Sequence, residues 1–199
     1  MQQGPLPHSS TGLWAREITL LDVERLQAFF VENPDYFHRV HGCAPQPDEA
    51  RDEIDDRLPE GWSFTRKWKI GYFDATGTLV AMVSIVSDLL APGVWHIGLF
   101  MLAGSLQGQG IARQLHRELE DWAAGLGARW LRLSVVVENV RAEGFWRACG
   151  YVEARTRDGI ELGRLRHRVR IMIKPLASDA LEDYLTLMPR DRVESPLAV

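Results

Sequence analysis

The 199-residue chain is 46% hydrophobic and 25% charged with a formal net charge of −4, the balance of an ordinary globular protein and not of a polycation that binds nucleic acid or an anionic membrane. Its length favours one domain with one sizeable core, and no apolar run reaches the ~18 residues of a membrane span. Two cysteines, Cys43 and Cys149, are too few for a disulfide framework, so a reducing cytoplasm is the expected compartment.

In chain order, residues 1–12 are polar and rich in Gly, Pro and Ser, and they read as a disordered leader without a secretory signal. Trp14–Leu21 predicts a strand. Asp22 is placed to cap a helix on which Val23, Leu26, Phe29 and Phe30 recur at helical spacing, and Asn33-Pro34 stops it. Asp35–Pro47 reads as a loop and Asp48–Leu58 as a charged helix. Trp62–Phe73 and Thr78–Val86 form a hairpin around Asp74-Ala-Thr-Gly77. Val94–Leu102 is a nearly continuous apolar run, the pattern of a strand covered on both faces. A glycine-containing loop, Gly104–Gly110, opens a helix with the stripe Ile111, Leu115, Leu119, Trp122 and Leu126. Trp130–Val137 is a further strand, and Asn139 caps a short helix that Gly150 ends. Tyr151–Arg157 and Arg164–Lys174 make a final hairpin around Asp158-Gly159, and Ser178–Leu187 is a last helix. Strands cluster early and late with helices between, which predicts a mixed α+β fold. The domain is expected over residues 13–175, with a C-terminal helix and tail over 176–199.

The segment Gln107-Gly-Gln-Gly-Ile-Ala112 lies between an apolar strand and the longest helix. Glycines let a backbone approach a ligand closely, and a helix start offers unpaired N–H groups at a positive dipole end, so this is a candidate pyrophosphate site. A tight turn that binds nothing is the plain alternative. A dinucleotide fingerprint fits poorly, because Gly108 and Gly110 are followed by Arg113 and no acidic residue lies ~20 positions on. A P-loop is excluded, since no Gly-Lys-Ser/Thr follows.

Gln107-x-x-Gly110-x-Ala112 resembles the Q/R-x-x-G-x-G/A motif of the GNAT acyltransferases, and Asn139-x-x-Ala142-x-x-Phe145-Trp146-x-x-x-Gly150-Tyr151 resembles that family's second signature. The element order agrees over residues 13–175. The resemblance implies a mostly antiparallel sheet of six to seven strands, flanked by helices, in which the parallel pair Val94–Leu102 and Trp130–Val137 is splayed. It implies acetyl-CoA as cosubstrate, with the pantetheine arm in the gap against free backbone groups of Phe100 and Leu102. Gln107, Gly108, Gln109, Gly110, Ile111 and Ala112 would hold the pyrophosphate, with Asn139, Phe145 and Trp146 beside the cofactor. The function implied is acetyl (acyl) transfer from acetyl-CoA to an amine of a small molecule or protein, by direct attack in a ternary complex.

Attack on a thioester needs a neutral amine, and an amine of pKa ~10.4 is mostly protonated at neutral pH. His96, eleven residues before Gln107, stands where family members with an acidic base place it, so it is the candidate base, and a histidine bonded into the sheet is the alternative. Strict alternation would put His96, Gly98 and Phe100 on one face. Asp88 would anchor the substrate's ammonium, orient His96, or cap its own turn. Asp35, Tyr36 and Phe37 would shape the acceptor pocket. The family's acidic tyrosine falls at Trp146, and an indole is no practical acid. That departure keeps open a degenerate fold that binds acyl-CoA without turning it over, with a dinucleotide oxidoreductase a distant third. His38, His41 and Cys43 lack a fourth ligand at finger-like spacing, so no metal is expected. The expected partners are acetyl-CoA and the amine acceptor, with no nucleic acid or membrane, for a monomer or homodimer.

Overall fold

The structure, a computed structural model, describes residues 6–196. Its strands are β1 (Trp14–Glu17), β2 (Arg66–Phe73), β3 (Leu79–Ser87), β4 (Val94–Leu102), β5 (Trp130–Val136), β6 (Val152–Leu162) and β7 (Leu165–Pro175). They form one sheet ordered β1-β2-β3-β4-β5-β7-β6, antiparallel throughout except for β4 beside β5. The helices are α1 (Val23–Glu32), α2 (Asp35–Val40), α3 (Glu49–Asp55), α4 (Ile111–Gly125), α5 (Val140–Ala148) and α6 (Leu181–Leu187). Among the described residues no helix is long and apolar enough to cross a membrane.

Alternation along the strands divides the buried side chains between two faces. One face carries Trp68, Ile70, Val83, Ile85, Trp95, Ile97, Leu131 and Leu133 in one core with Leu115, Leu119 and Ala123 of α4. Leu115 and Leu119 are fully buried, each contributing about 1.5–3 kcal/mol by leaving water. Trp68 stacks on Trp95 at 5.1 Å, and Trp122 meets both edge-on, which seats the C-terminal half of α4. The other face holds two separate clusters. Met82, Leu99 and Met101 pack under α1 and α2, whereas Val94, Trp130, Ile171 and Ile173 pack under Tyr184 and Met188 at the C-terminal end.

Several expectations are corrected. Asp22 precedes α1 but makes no cap bond there; its carboxylate takes the Arg16 guanidinium and the Thr19 amide instead, which holds its pKa down to about 2. Asp35–Val40 is helical, not a loop, because Pro34 enters it already at φ −73° and Phe37 and Val40 gain burial. The last hairpin turns at Gly163-Arg164, since Leu162 pairs with Leu165, and the Asp158-Gly159 segment is a bulge inside β6. Most consequential is β4: Ile97 pairs with Ile85 and Leu99 with Ser84, so Gly98 is an extra residue opposite the β3 ladder. The bulge reverses the alternation. His96 therefore shares a face with Leu99 and Met101, while Phe100 joins Trp95 and Ile97 on the other. A three-residue helical turn, Pro189–Asp191, follows α6 and had no signal in the sequence.

Of the expected leader, residues 1–5 lie outside the described residues. Residues 6–12 run without helix or strand along α4, where the Ser10 amide donates to Glu118 Oε1 at 2.7 Å.

Candidate active site

β4 and β5 pair only from Val94/Trp130 to Ile97/Leu133, although β4 continues to Leu102 and β5 to Val136. On its other edge β4 stays paired with β3 as far as Leu102. Beyond the Gly98 bulge the two parallel strands therefore part into a wedge, and β4 turns backbone groups toward it that β5 does not use. Phe100 lines the wedge's packed side: its ring stacks on Phe145 at 5.9 Å and meets Trp146 edge-on at 5.7 Å. Trp146 itself is buried among His116 and Tyr151. The Leu102 carbonyl accepts from Gln107 Nε2 at 2.8 Å, so Gln107 ties the loop back to the strand it leaves.

At the open end of the wedge the loop reaches α4. Gly108 and Gly110 stand at φ +79° and +81°, and a Cβ on either would meet nothing within 4 Å. α4 has no side-chain cap, and the amides of Gly110, Ile111, Ala112 and Arg113 find no partner among the described residues. Four free N–H groups at the start of a 15-residue helix, over empty space, fit the diphosphate of a nucleotide cofactor. Gln109 instead bonds its own loop, through Nε2 to the Ser105 carbonyl at 2.9 Å. Asn139 caps α5, its side chain accepting from the Ala142 amide at 3.3 Å. Just before it, Glu138 takes φ +79°, a strained conformation for a residue with a side chain, where β5 leaves the wedge. Asn33, read in the sequence as a helix stop and the start of the pocket-shaping stretch, accepts the Gly104 amide at 2.7 Å and so fixes the loop to the end of α1.

On the opposite face, against the bulge, lies a cavity of about 220 Å³ walled by Phe30, Tyr36, Phe37 and Leu99 and rimmed by acidic residues of α3, among them Glu49, Asp52 and Glu53. Lys69 pairs with Glu53 and donates to Ser84 Oγ at 2.9 Å, and Ser84 Oγ lies 3.6 Å from where a Gly98 Cβ would stand. Burial, then the charges of Glu53 and Glu49, raises the Tyr36 pKa, so its hydroxyl stays neutral. Asp35 is exposed at the start of α2. The β6–β7 tip reaches across to α2: His167 Nε2 lies 2.8 Å from the Val40 carbonyl, and the Arg164 amide donates to the His41 carbonyl at 2.8 Å.

His96 also faces this side, partly buried between the two clusters. Arg132 Nη1 lies 3.2 Å from His96 Nδ1, and a guanidinium can only donate, so Nδ1 accepts. Burial and then the Arg132 charge push the imidazole pKa down to about 3. Asp88 is not brought here. Its carboxylate accepts the Gly93 amide at 2.7 Å, and it lines a different cavity with Trp68, Trp95 and Leu126. Among the described residues no three His, Cys, Asp or Glu side chains converge as a metal set, and His41 Nδ1 instead approaches Glu49 at 3.3 Å.

Residues 26–151 match the model of the acetyltransferase (GNAT) family. No curated protein matches the chain in sequence. Among solved structures, an acetyltransferase from Thermus thermophilus superposes with a TM-score of 0.64 at 20% identity, covering 84% of this chain and 99% of that one. A spermidine N-acetyltransferase from Vibrio cholerae, in complex with CoA and spermine, gives 0.64 at 19% identity over 84% and 97%. The ribosomal-protein-S18-alanine N-acetyltransferase from Escherichia coli gives 0.59 at 16% identity over 84% and 96%. At these identities the likeness is one of fold.

Proposed function

Because the chain belongs to the acetyltransferase (GNAT) family, we propose that it transfers the acetyl group of acetyl-CoA to a small cationic amine that enters the cavity beside α2 and α3. One observation carries the reading: β4 and β5 part beyond Ile97 and Leu133 toward the unpartnered amides that open α4. Acetyl-CoA supplies the activated thioester, and the chain supplies the rest. The amides of Gly110–Arg113 hold the diphosphate against the helix dipole, and Gln107 keeps the loop fixed to Leu102. The free backbone of β4 beyond Gly98, Phe100 included, pairs with the pantetheine arm and orients the thioester carbonyl, a donor N–H there stabilising the charge that develops on its oxygen.

The acceptor side is supported by charge and shape. The cavity beside Gly98 has aromatic walls and an acidic rim, which suit an ammonium or a second positive charge on the substrate. The α2 to β6–β7 contact closes over this side, which favours a small molecule above a folded protein. His96 keeps a neutral imidazole, so the attacking nitrogen is drawn from the amine's own neutral fraction and loses its proton to water.

Thermal unfolding tests the cofactor. A ligand that binds only the folded state stabilises it by about 2.7 kcal/mol at one hundred times its Kd. Acetyl-CoA should raise the melting temperature and NADH should not; the reverse result overturns the proposal in favour of a dinucleotide enzyme.

A further inference from the structure

The C-terminal turn Pro189–Asp191 carries a carboxylate into the middle of the molecule. Asp191 is fully buried and accepts from Arg132 Nε at 2.8 Å and Nη2 at 3.1 Å, and from the Tyr184 hydroxyl. Arg157 of β6 stands behind it, with Nη2 3.5 Å from the same carboxylate, and Arg190 adds a nearby charge. Arg132 is buried as well, and its remaining nitrogen, Nη1, lies against His96 Nδ1. The chain of contacts thus runs from the turn after α6, through β5, to the histidine on β4 at the closed end of the wedge.

Stability alone does not explain this construction. Replacing a buried ion pair by apolar side chains of similar volume is often neutral or stabilising. The surrounding Val94, Trp130, Ile171 and Ile173 already hold α6 by apolar packing. What apolar side chains lack is a donor for His96 Nδ1. With Nδ1 occupied, the proton of the neutral ring sits on Nε2, which has no partner among the described residues, and His96 shares its face of the sheet with Leu99, a wall of the acceptor cavity.

The geometry points to Asp191 and Arg132 as positioning residues of the transfer site, locking His96 as the Nε2–H tautomer on the face of the sheet that carries the acceptor cavity. This rests on the acyltransfer reading. The C-terminal segment beyond the last strand of the sheet then belongs to the working site, and removing it disturbs turnover without touching the phosphate loop.

Two measurements on the full-length protein test it. Nitrogen-15 NMR of the native protein should show His96 as the Nε2-protonated tautomer, without titration between pH 5 and 8. The pH profile of kcat/KM should accordingly carry no histidine limb. In the double variant Arg132→Met/Asp191→Leu the Arg132–Asp191 pair goes together, and Arg157, which loses the carboxylate 3.5 Å away, keeps the bond from its Nη2 to the Arg190 carbonyl. Without the Arg132 donor the His96 ring should lose its fixed tautomer, its proton shared between Nδ1 and Nε2 in the NMR spectrum. In that variant kcat should fall about tenfold or more, with the acetyl-CoA melting shift retained. A network that merely braces the fold would lower the melting temperature and leave kcat of the folded variant near normal. A native His96 protonated on Nδ1, or titrating near pH 6–7, overturns the proposal; so does a folded double variant with unchanged kcat. If that variant does not fold, the native NMR spectrum decides. The NMR result does not depend on any amine being accepted, and the acetyl-CoA melting shift separately tests the acyltransfer reading.

Discussion

Gly110 carries two constraints that a substitution separates. Its φ of +81° lies in the left-handed region, where a side chain costs about 1–2 kcal/mol, yet a Cβ there meets no protein atom. Gly110→Ala should therefore lower the melting temperature only modestly without ligand. It should also abolish most of the shift produced by acetyl-CoA, because the added methyl occupies the space meant for the diphosphate. A full shift in that variant would place the diphosphate elsewhere. His116 gives a second test. It is buried on α4, with Nε2 3.0 Å from the Tyr151 hydroxyl, and burial lowers its pKa to about 3, as it does for His96. An unfolded histidine titrates near 6.5, so below that pH the unfolded chain binds protons the folded one refuses. The stability these neutral rings contribute is complete above pH 6.5 and is lost as pH falls toward 3. Each ring should tilt the unfolding free energy by about 1.4 kcal/mol per pH unit across that window. His116→Gln should remove one ring's share of the slope in denaturant titrations at pH 4–6; an unchanged slope would mean His116 is already charged in the folded state. Of these residues, the sequence marked the glycines by spacing, whereas Arg132 and Asp191 came from two parts of the chain that no local pattern connects.

At the scale of elements, the strands and α4 were legible because apolar period and glycine punctuation agree over long stretches. The failures share a cause. A bulge is one residue of register, set by the neighbouring strand, and so Gly98 in an apolar run showed no mark. Asp158-Gly159 and Gly163-Arg164 are both plausible turns on local chemistry; cross-strand pairing of Leu162 with Leu165 decides for the second. α2 was hidden because six residues hold too little periodicity, and tertiary burial of Phe37 and Val40 stabilises it. The same hairpin tip offers a prediction. A Cβ on Gly163 would lie 2.6–2.7 Å from His41 Cβ, Cα and carbonyl oxygen, so Gly163→Ala must push the tip off α2. It should cost about 1–3 kcal/mol and raise the acceptor KM, leaving acetyl-CoA affinity unchanged. An unaltered acceptor KM would show that the bridge does not bound the substrate site.

Taken whole, the proposed reaction separates its two substrates by face and by charge. The diphosphate would meet backbone amides at the start of α4, and the amine would meet the aromatic and acidic side chains of α2 and α3 across the sheet. Diamines should accordingly show lower KM than neutral-tailed monoamines of equal length, and added salt should erase the difference. Asp52→Asn at the cavity rim should raise the diamine KM about two- to fivefold, the size of one exposed charge pair, with the acetyl-CoA KM unchanged. Equal KM values across the panel would remove the acidic rim from recognition. Trp146 is buried where the resembled family carries a tyrosine, so in the proposed transfer the thiolate would depart without that acid, which a thiol of pKa ~8.5 tolerates. Acyl transfer is tested by the rate of free-thiol release from acetyl-CoA, followed with and without a panel of amines at pH 7–9. Amine-dependent release that grows with pH, with a diamine among the best acceptors, is the result predicted. A protein that acetyl-CoA stabilises but that releases no thiol with any amine would be a binding module and would contradict the account.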